Sequence, residues 1–479
     1  MTVYHIFGYV GAAALLLTIL RYFLARPSSL LVCYLQNFVG ALFIFSGFVK
    51  AVDPLGTSYK MHDYFTAFAA EKFFENARYL ALYGNFWDWV GSFSTPMAIF
   101  MIAAELFFGF MLLIGWKPKF TVAIIWALTV FFTFLTGYTY LSGYSLTNAF
   151  MLMSAAVMFI WVLIGFQPSD SKKGKWTLLS FALLLMLIAF FMSHASTHPF
   201  DEGKMKVTDC GCFGDFIKLK PWETFWKDVI LDAMILLLLL NTKHIRPLLE
   251  GKRSAVAALA GVVSLGLCLY CVYWSEPIID FRPYKIGNDV RELRKVKQEP
   301  KVEMLFIYKN KATGAEKEFT VSDLSTLNYS EWDYKDRKDK VLDPGIPAKI
   351  TNLYIENDEG AQMADSILNN PGYSLMVVAY NLNKTHEAAF VKLNAIASGC
   401  DKAGIDFFAV TVNDGHIDEF RHRLQTAYPF YHADETPLKT IIRSNPGLVL
   451  LKDGVVINKW HYRGLPDFES LNQQYFSQP

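Results

Sequence analysis

The sequence predicts an α-helical integral membrane bundle of about eight spans followed by a soluble α/β domain. Three observations predict it. Apolar residues make up 53% of the 479 positions against 19% charged, and most of the apolar residues fall before residue 275. Apolar runs near the about 20 residues needed to cross a bilayer recur there. Beyond residue 275 charge rises, and short β-rich runs alternate with amphipathic segments.

The expected spans are residues 5–24, 30–50, 95–116, 119–138, 146–166, 175–194, 223–241 and 254–274. The first lacks a basic start and a small-residue cleavage site, since Arg21 and Arg26 follow the apolar run, so it reads as a retained span. Loops after spans one, three, five and seven carry Arg26, Lys117, Lys119, Lys172, Lys173, Lys175, Lys243, Arg246, Lys252 and Arg253 with almost no acid. Positive residues in short loops stay on the cytoplasmic side. The expected protein therefore sits in a bacterial inner membrane with both termini, the segment before span seven and the tail on the periplasmic, oxidising side. A net charge of +1 without a basic run excludes nucleic acid as a partner. The lipid bilayer is the first partner implied.

Directly before span seven stands Thr208-Asp209-Cys210-Gly211-Cys212-Phe213-Gly214-Asp215. Thiol exchange needs two sulfurs close together and accessible as thiolate, and Gly211 relaxes the backbone between Cys210 and Cys212. The same residues also suit a tight turn that caps the following helix. Cys268 and Cys271 are one helical turn apart in span eight, either a second thiol pair or small polarizable packing residues. Cys33 and Cys400 have no local partner and read as buried.

Acids inside a bilayer are costly and count as site candidates. Glu105 in span three and Asp232 in span seven lie at similar depth. Each either carries protons or hydrogen-bonds across the bundle to hydroxyls or to Lys50; we favour a role for Glu105 and none for Asp232. His194 and His198 are four residues apart near Asp201 and Glu202, but the spacing is not that of a zinc module, so no metal is expected. Aromatic residues from Tyr59 to Trp89 suggest an amphipathic lid lying on the membrane.

The run Gln36-Asn37-Phe38-Val39-Gly40 to Gly47-Phe48-Val49-Lys50, the run Ala104-Glu105-Leu106-Phe107-Phe108-Gly109 and the Cys-Gly-Cys-Phe-Gly segment occur in an order that resembles the DoxX/MauE superfamily of four-helix membrane proteins. The resemblance covers roughly residues 30–138 and 207–241, with a two-helix insertion at 143–206 and spans one and eight added outside. It implies redox work at the membrane: DoxX-like subunits are associated with thiosulfate:quinone oxidoreduction and MauE-like proteins with disulfide formation during maturation of an exported enzyme. A quinone is therefore the electron carrier it suggests, and Cys210, Cys212 and, from its place in the bilayer, Glu105 are the candidate catalytic residues. The layout is also similar to vitamin K epoxide reductase, a quinone-linked disulfide-forming bundle. Fold membership does not by itself establish activity.

Residues 275–340 read as connector and hairpin, with strands at 302–308 and 316–321. Then come a strand at 374–382, a helix at 385–402, a strand at 405–412, a helix at 416–426, strands near 448–452 and 455–460 and a last helix from about 466. Ser444-Asn445-Pro446-Gly447 followed by Leu448 to Val456 resembles the cis-proline strand and hairpin of a thioredoxin-like fold over residues 341–479. Where that family carries Cys-x-x-Cys, this chain has Asn383-Lys384-Thr385-His386. The tail therefore carries no second dithiol, and reads either as a docking module for an envelope protein client or as a retained, inert domain. Two functions follow: a membrane thiol or quinone redox protein, or a noncatalytic scaffold that binds an envelope partner through its tail. A transporter is a weaker third, because no inverted repeat or broken helix pair is evident.

Overall fold

The structure, a computed structural model, describes residues 2–70, 81–144, 200–207, 211–248, 253–343, 345–413 and 415–477, with single positions between 157 and 194. The chain forms two compact units, Met1–Phe281 and Arg282–Pro479.

The first unit is helical. α1 (Val3–Ala25) and α2 (Leu30–Val52) are followed by α3 (Pro54–Ala69), α4 (Ala81–Ser92), α5 (Ser94–Ile114), α6 (Pro118–Ser142), α7 (Pro221–Leu240) and α8 (Arg253–Tyr273). Local sequence sets the boundaries. Ser29 caps α2 by accepting from Val32 N, and Asp53-Pro54 ends α2 and starts α3, with the Asp53 carboxylate accepting from Gly56 N. α5 stops at Gly115, whose φ of 71° favours glycine, and prolines open α6 and α7.

Five described helices are long and apolar enough to cross a membrane: Val3–Leu24, Leu30–Val52, Ser94–Ile114, Pro118–Ser142 and Ala255–Tyr273. This makes the chain a multi-pass membrane protein, and these five helices coincide with five of the about eight expected spans. The expected spans at 146–166 and 175–194 fall almost wholly outside the described residues. The expected span at 223–241 is helix α7, which carries Glu223, Lys227, Asp228 and Asp232 and so is not simply apolar. Its charges face inward: Lys227, Asp228 and Asp232 are buried, while Trp222, Trp226, Ile230, Leu237 and Leu240 are exposed. That inverted pattern suits a helix with lipid outside and a polar bundle interior.

Four helices close a ring, with α2 against α5, α5 against α6, α6 against α7 and α7 against α2. α1 flanks α2, and α8 flanks α5 and α2. The tightest seam is α2 on α5. A Cβ on Gly40 would stand 3.1 Å from Gly109 O, one on Gly109 would stand 3.1 Å from Gly40 O, and one on Gly47 would stand 3.1 Å from Leu106 N. Small residues let two membrane helices approach backbone to backbone. α3 and α4 carry the described part of the aromatic stretch expected as a lid on the membrane, with Phe86 and Trp89 of α4 exposed. Tyr64, Phe65 and Phe68 are buried and cluster with Met61, Ala98 and Tyr138, so this aromatic face packs into the bundle.

The second unit holds two sheets. β1 (Lys301–Asn310), β2 (Glu316–Thr320) and β3 (Trp332–Asp343) form an antiparallel sheet in the order β2-β1-β3. β4 (Tyr373–Ala379), β5 (Asp406–Thr411), β6 (Phe430–His432), β7 (Gly447–Lys452) and β8 (Val455–His461) form a mixed sheet in the order β6-β5-β4-β7-β8. β4, β5 and β6 run parallel, and β7 and β8 antiparallel to their neighbours. From Leu375 to Ala379 β4 is apolar because both of its faces are covered. Leu375 and Val377 join Phe390, Leu393 and Ile396 on one side, and Met376 and Val378 join Leu438 and Ile441 on the other. The β7–β8 turn uses Asp453 and Gly454 at φ 48° and 75°, the left-handed pair of a two-residue hairpin. The Asn445–Pro446 bond is cis. Before it, His386 N donates to Asn445 O at 3.0 Å, and the His386 ring stacks on Tyr462 at 4.5 Å. Cys400 is fully buried, and burial pushes its thiol up to about 12.

Two outcomes check this packing. Gly109→Val should cost ~1–3 kcal/mol through overpacking of the α2–α5 seam. Gly8→Ala, where a Cβ meets nothing within 4 Å, should leave the thermal midpoint in mild detergent unchanged or raised; equal losses at both sites would refute the seam. In the tail, His461 Nδ1 accepts from Arg463 N at 3.2 Å, so the ring is neutral, and burial, then Arg463 and His386, hold it down to about 4. The unfolded ring titrates near ~6.5. As pH falls from that value through about 4, the unfolded chain gains a proton the folded chain resists, so stability is present above the window and lost within it. His461→Gln should flatten the dependence of the full-length protein's tail unfolding on pH in that window, and an unchanged slope would refute it.

Candidate functional site: a charged cavity beside Cys212

On α2, Gly40, Phe43, Gly47 and Lys50 recur at helical spacing, and on α5 so do Glu105 and Gly109. The close seam lets the Lys50 side chain reach Glu105, with Nζ 2.5 Å from Oε1 and both groups at most 5% exposed. Oε2 of the same carboxylate lies 3.1 Å from Ser46 Oγ, which is also 3.2 Å from the Cys212 carbonyl oxygen. The serine hydroxyl thus stands between the acid and the cysteine segment, with one proton to give to either acceptor. The ammonium of Lys50 stands 4.8 Å over the Phe132 ring of α6, a placement that favours a desolvated cation.

The cysteine segment enters the bundle as two successive turns. Gly214 N donates to Gly211 O at 3.0 Å and Phe216 N to Phe213 O at 3.1 Å, and the first turn needs Gly211 and Gly214 at positive φ. Phe213 is 2% exposed, packs on Phe45 at 5.9 Å and anchors the turns in the core. Cys210 lies outside the described residues.

A second charged pair faces the first. Lys227 Nζ bonds Asp228 Oδ1, Thr136 Oγ1 lies 3.2 Å from Asp228 Oδ2, and Lys227 stands 5.7 Å over Phe213. Ser46, Lys50, Glu105, Cys212, Lys227 and Asp228, with apolar neighbours from Leu42 to Leu231, line one cavity of about 30 Å³. That is room for one or two water molecules. One turn further along α7, Asp232 Oδ2 lies 2.7 Å from Thr133 Oγ1. The structure thus brings Cys212 and Glu105 together with Lys50 and places Asp232 on the helix that lines their cavity.

Cys268 and Cys271 of α8 are buried thiols. Cys268 packs with Ala51, Ile99 and Ile102, within electrostatic reach of Glu105. Cys33 is buried, with Asn37 Nδ2 3.7 Å from its sulfur. His194 Nε2 is 3.0 Å from Tyr144 O, and His198 lies outside the described residues. Among the described residues no group of three or more His, Cys, Asp and Glu is placed to hold a metal ion. Ser46, Lys227 and Asp228 are the site residues that the sequence did not disclose. The readable signal was Asp228 and Asp232 at helical spacing within an otherwise apolar run.

The buried pair gives a direct test. Removing one partner strands a charge, which costs ~3–5 kcal/mol, whereas replacing both costs far less. Lys50→Met alone should sharply lower the unfolding midpoint, and Lys50→Met with Glu105→Leu should recover most of the loss. Additive losses in that double-mutant cycle would contradict the pairing.

Residues 27–147 match the family model of the methylamine utilisation protein MauE. The match holds α2, α5 and α6 and therefore both members of the Lys50–Glu105 pair. No curated protein and no solved structure matches the chain. Over this segment the chain is similar to MauE, and its long apolar helices make it a multi-pass membrane protein.

Proposed function

We propose that the chain is a membrane thiol-disulfide protein of the cell envelope in which Cys210 and Cys212 form the exchanging pair and a lipid-soluble quinone is the electron acceptor. The observation that carries the reading is that Cys212 lines the same cavity as the Lys50–Glu105 and Lys227–Asp228 pairs. Its segment is held by Ser46 rather than left in an open loop. A thiolate needs a counter-charge, and two ammonium groups border this cavity. In the reaction two S–H bonds break and one S–S bond forms, while two electrons and two protons pass to the quinone and make a quinol. Glu105, bonded to both Lys50 and Ser46, accepts and passes protons. The inner membrane, with the cysteine segment and tail on the periplasmic side, gives the oxidising compartment in which such a pair works.

In this reading the tail is a thioredoxin-like docking module for an envelope protein client. Its support is the strand order β6-β5-β4-β7-β8 and the cis-proline loop against His386, where no sulfur stands. That missing dithiol also favours the second reading, a noncatalytic scaffold that binds its partner through the tail.

Mass mapping of alkylated thiols in native membranes separates the two. The redox reading expects a Cys210–Cys212 disulfide whose fraction follows the reduction state of added quinone. Thiols that stay reduced at every quinone poise would leave the scaffold.

A further inference from the structure

The carboxyl group of Asp232 has an unusual hydrogen-bond position. It is 4% exposed, and its Oδ1 is buried with no hydrogen-bond partner. Its Oδ2 meets Thr133 Oγ1 at 2.7 Å, and that hydroxyl is also 3.0 Å from Thr129 O. A hydroxyl has one proton to give. With a proton on Oδ2, Asp232 donates to Thr133, Thr133 donates to Thr129 O, and no ionised oxygen is left bare. As a carboxylate, Asp232 would keep a naked charged oxygen in the bundle interior, a costly arrangement.

Charge count points the same way. The charged groups beside Asp232 are Lys227 and Asp228 of its own helix, and the cavity that those two line also takes in Lys50 of α2, Glu105 of α5 and Cys212 of the turn. α6 presents the hydroxyls Thr129, Thr133 and Thr136. Among these described residues the two lysines are matched by Glu105 and Asp228 through the ion pairs already described. Asp232 is the third acid, and one proton on it makes the set neutral. Arg21, also buried, is engaged elsewhere, with Leu113 O, more than two turns along α5 from Glu105.

We propose that Asp232 is a proton-binding site of the bundle, holding one exchangeable proton at rest and exchanging it through Asp228 with the cavity beside Cys212. The coupling to the cavity rests on the thiol reading. Oxidation of Cys210 and Cys212 releases two protons, and Asp232 exchanges with that pool before both protons join the two electrons on the quinone. This gives Asp232 a role that the sequence did not favour.

Infrared difference spectroscopy of the full-length protein in lipid nanodiscs tests it, with dithiothreitol as reductant, a soluble quinone as oxidant, and H₂O and D₂O compared. The expected result is a protonated-carboxyl C=O band that is lost in Asp232→Asn, shifts down in D₂O, and moves on oxidation in wild type but not in Cys212→Ser. Thr133→Val guards against misfolding of the first variant: it should shift the band without removing it. Absence of the band, or its survival in Asp232→Asn, would overturn the proposal. So would a band that D₂O leaves in place, because that proton does not exchange. A band that exchanges in D₂O but ignores oxidation would defeat the thiol coupling and leave the proton site standing.

Discussion

The membrane unit depends on one buried interaction, the ion pair of Lys50 and Glu105 across α2 and α5. Two charges removed from water cost several kcal/mol each unless they meet closely and their remaining hydrogen-bonding groups are satisfied. Both conditions are met here by sequence. Gly40, Gly47 and Gly109 bring the backbones together, Ser46 takes the second carboxylate oxygen, and the Phe132 ring lies beneath the ammonium. A bulky residue at Gly40, Gly47 or Gly109 would separate the pair and expose its cost. The seam and the charge pair therefore need one another.

The same pair explains why a glycine-rich loop lies inside the bundle. Ser46 lies within hydrogen-bond distance of both Glu105 and the carbonyl of Cys212, while Phe213 fills apolar space beside Phe45. Lys227 and Asp228 close the other wall. A polar interior of this kind would be unstable alone in hydrocarbon, and it persists because nearly every described group has a partner. Asp232 Oδ1 is the exception in this cluster, and such an exception in a membrane interior points to proton chemistry.

Much of this was legible in the sequence because the governing patterns are long-range averages. Apolar runs disclosed α1, α2, α5, α6 and α8, and an acid within an apolar run drew attention to Glu105. The tail's hairpin β1–β2 and the chain positions of β4, β5, β7 and β8 followed from alternation and turn residues, whereas β6 (Phe430–His432), three residues long, was missed. Three features were hidden for physical reasons. β3 is nearly all exposed and charged, from Lys335 to Lys340, so it carries no apolar period and is defined only by pairing with β1. Lys227 and Asp228 read as ordinary helix-end charges until α6 and α2 surround them. The aromatic stretch before α5 has the composition of a surface lid, yet its rings find partners such as Tyr138, which no local pattern reveals.

The central claim is that Cys212 is held in the bundle by the Lys50–Glu105–Ser46 group. The most direct measurement is the rate at which a membrane-impermeant maleimide modifies Cys212 after reduction, in intact membranes. The account predicts slow modification in wild type, far below that of a cysteine placed on an exposed loop, and a large acceleration in Ser46→Ala with Glu105→Ala. Modification at the exposed-loop rate in wild type, unchanged by those substitutions, would contradict it.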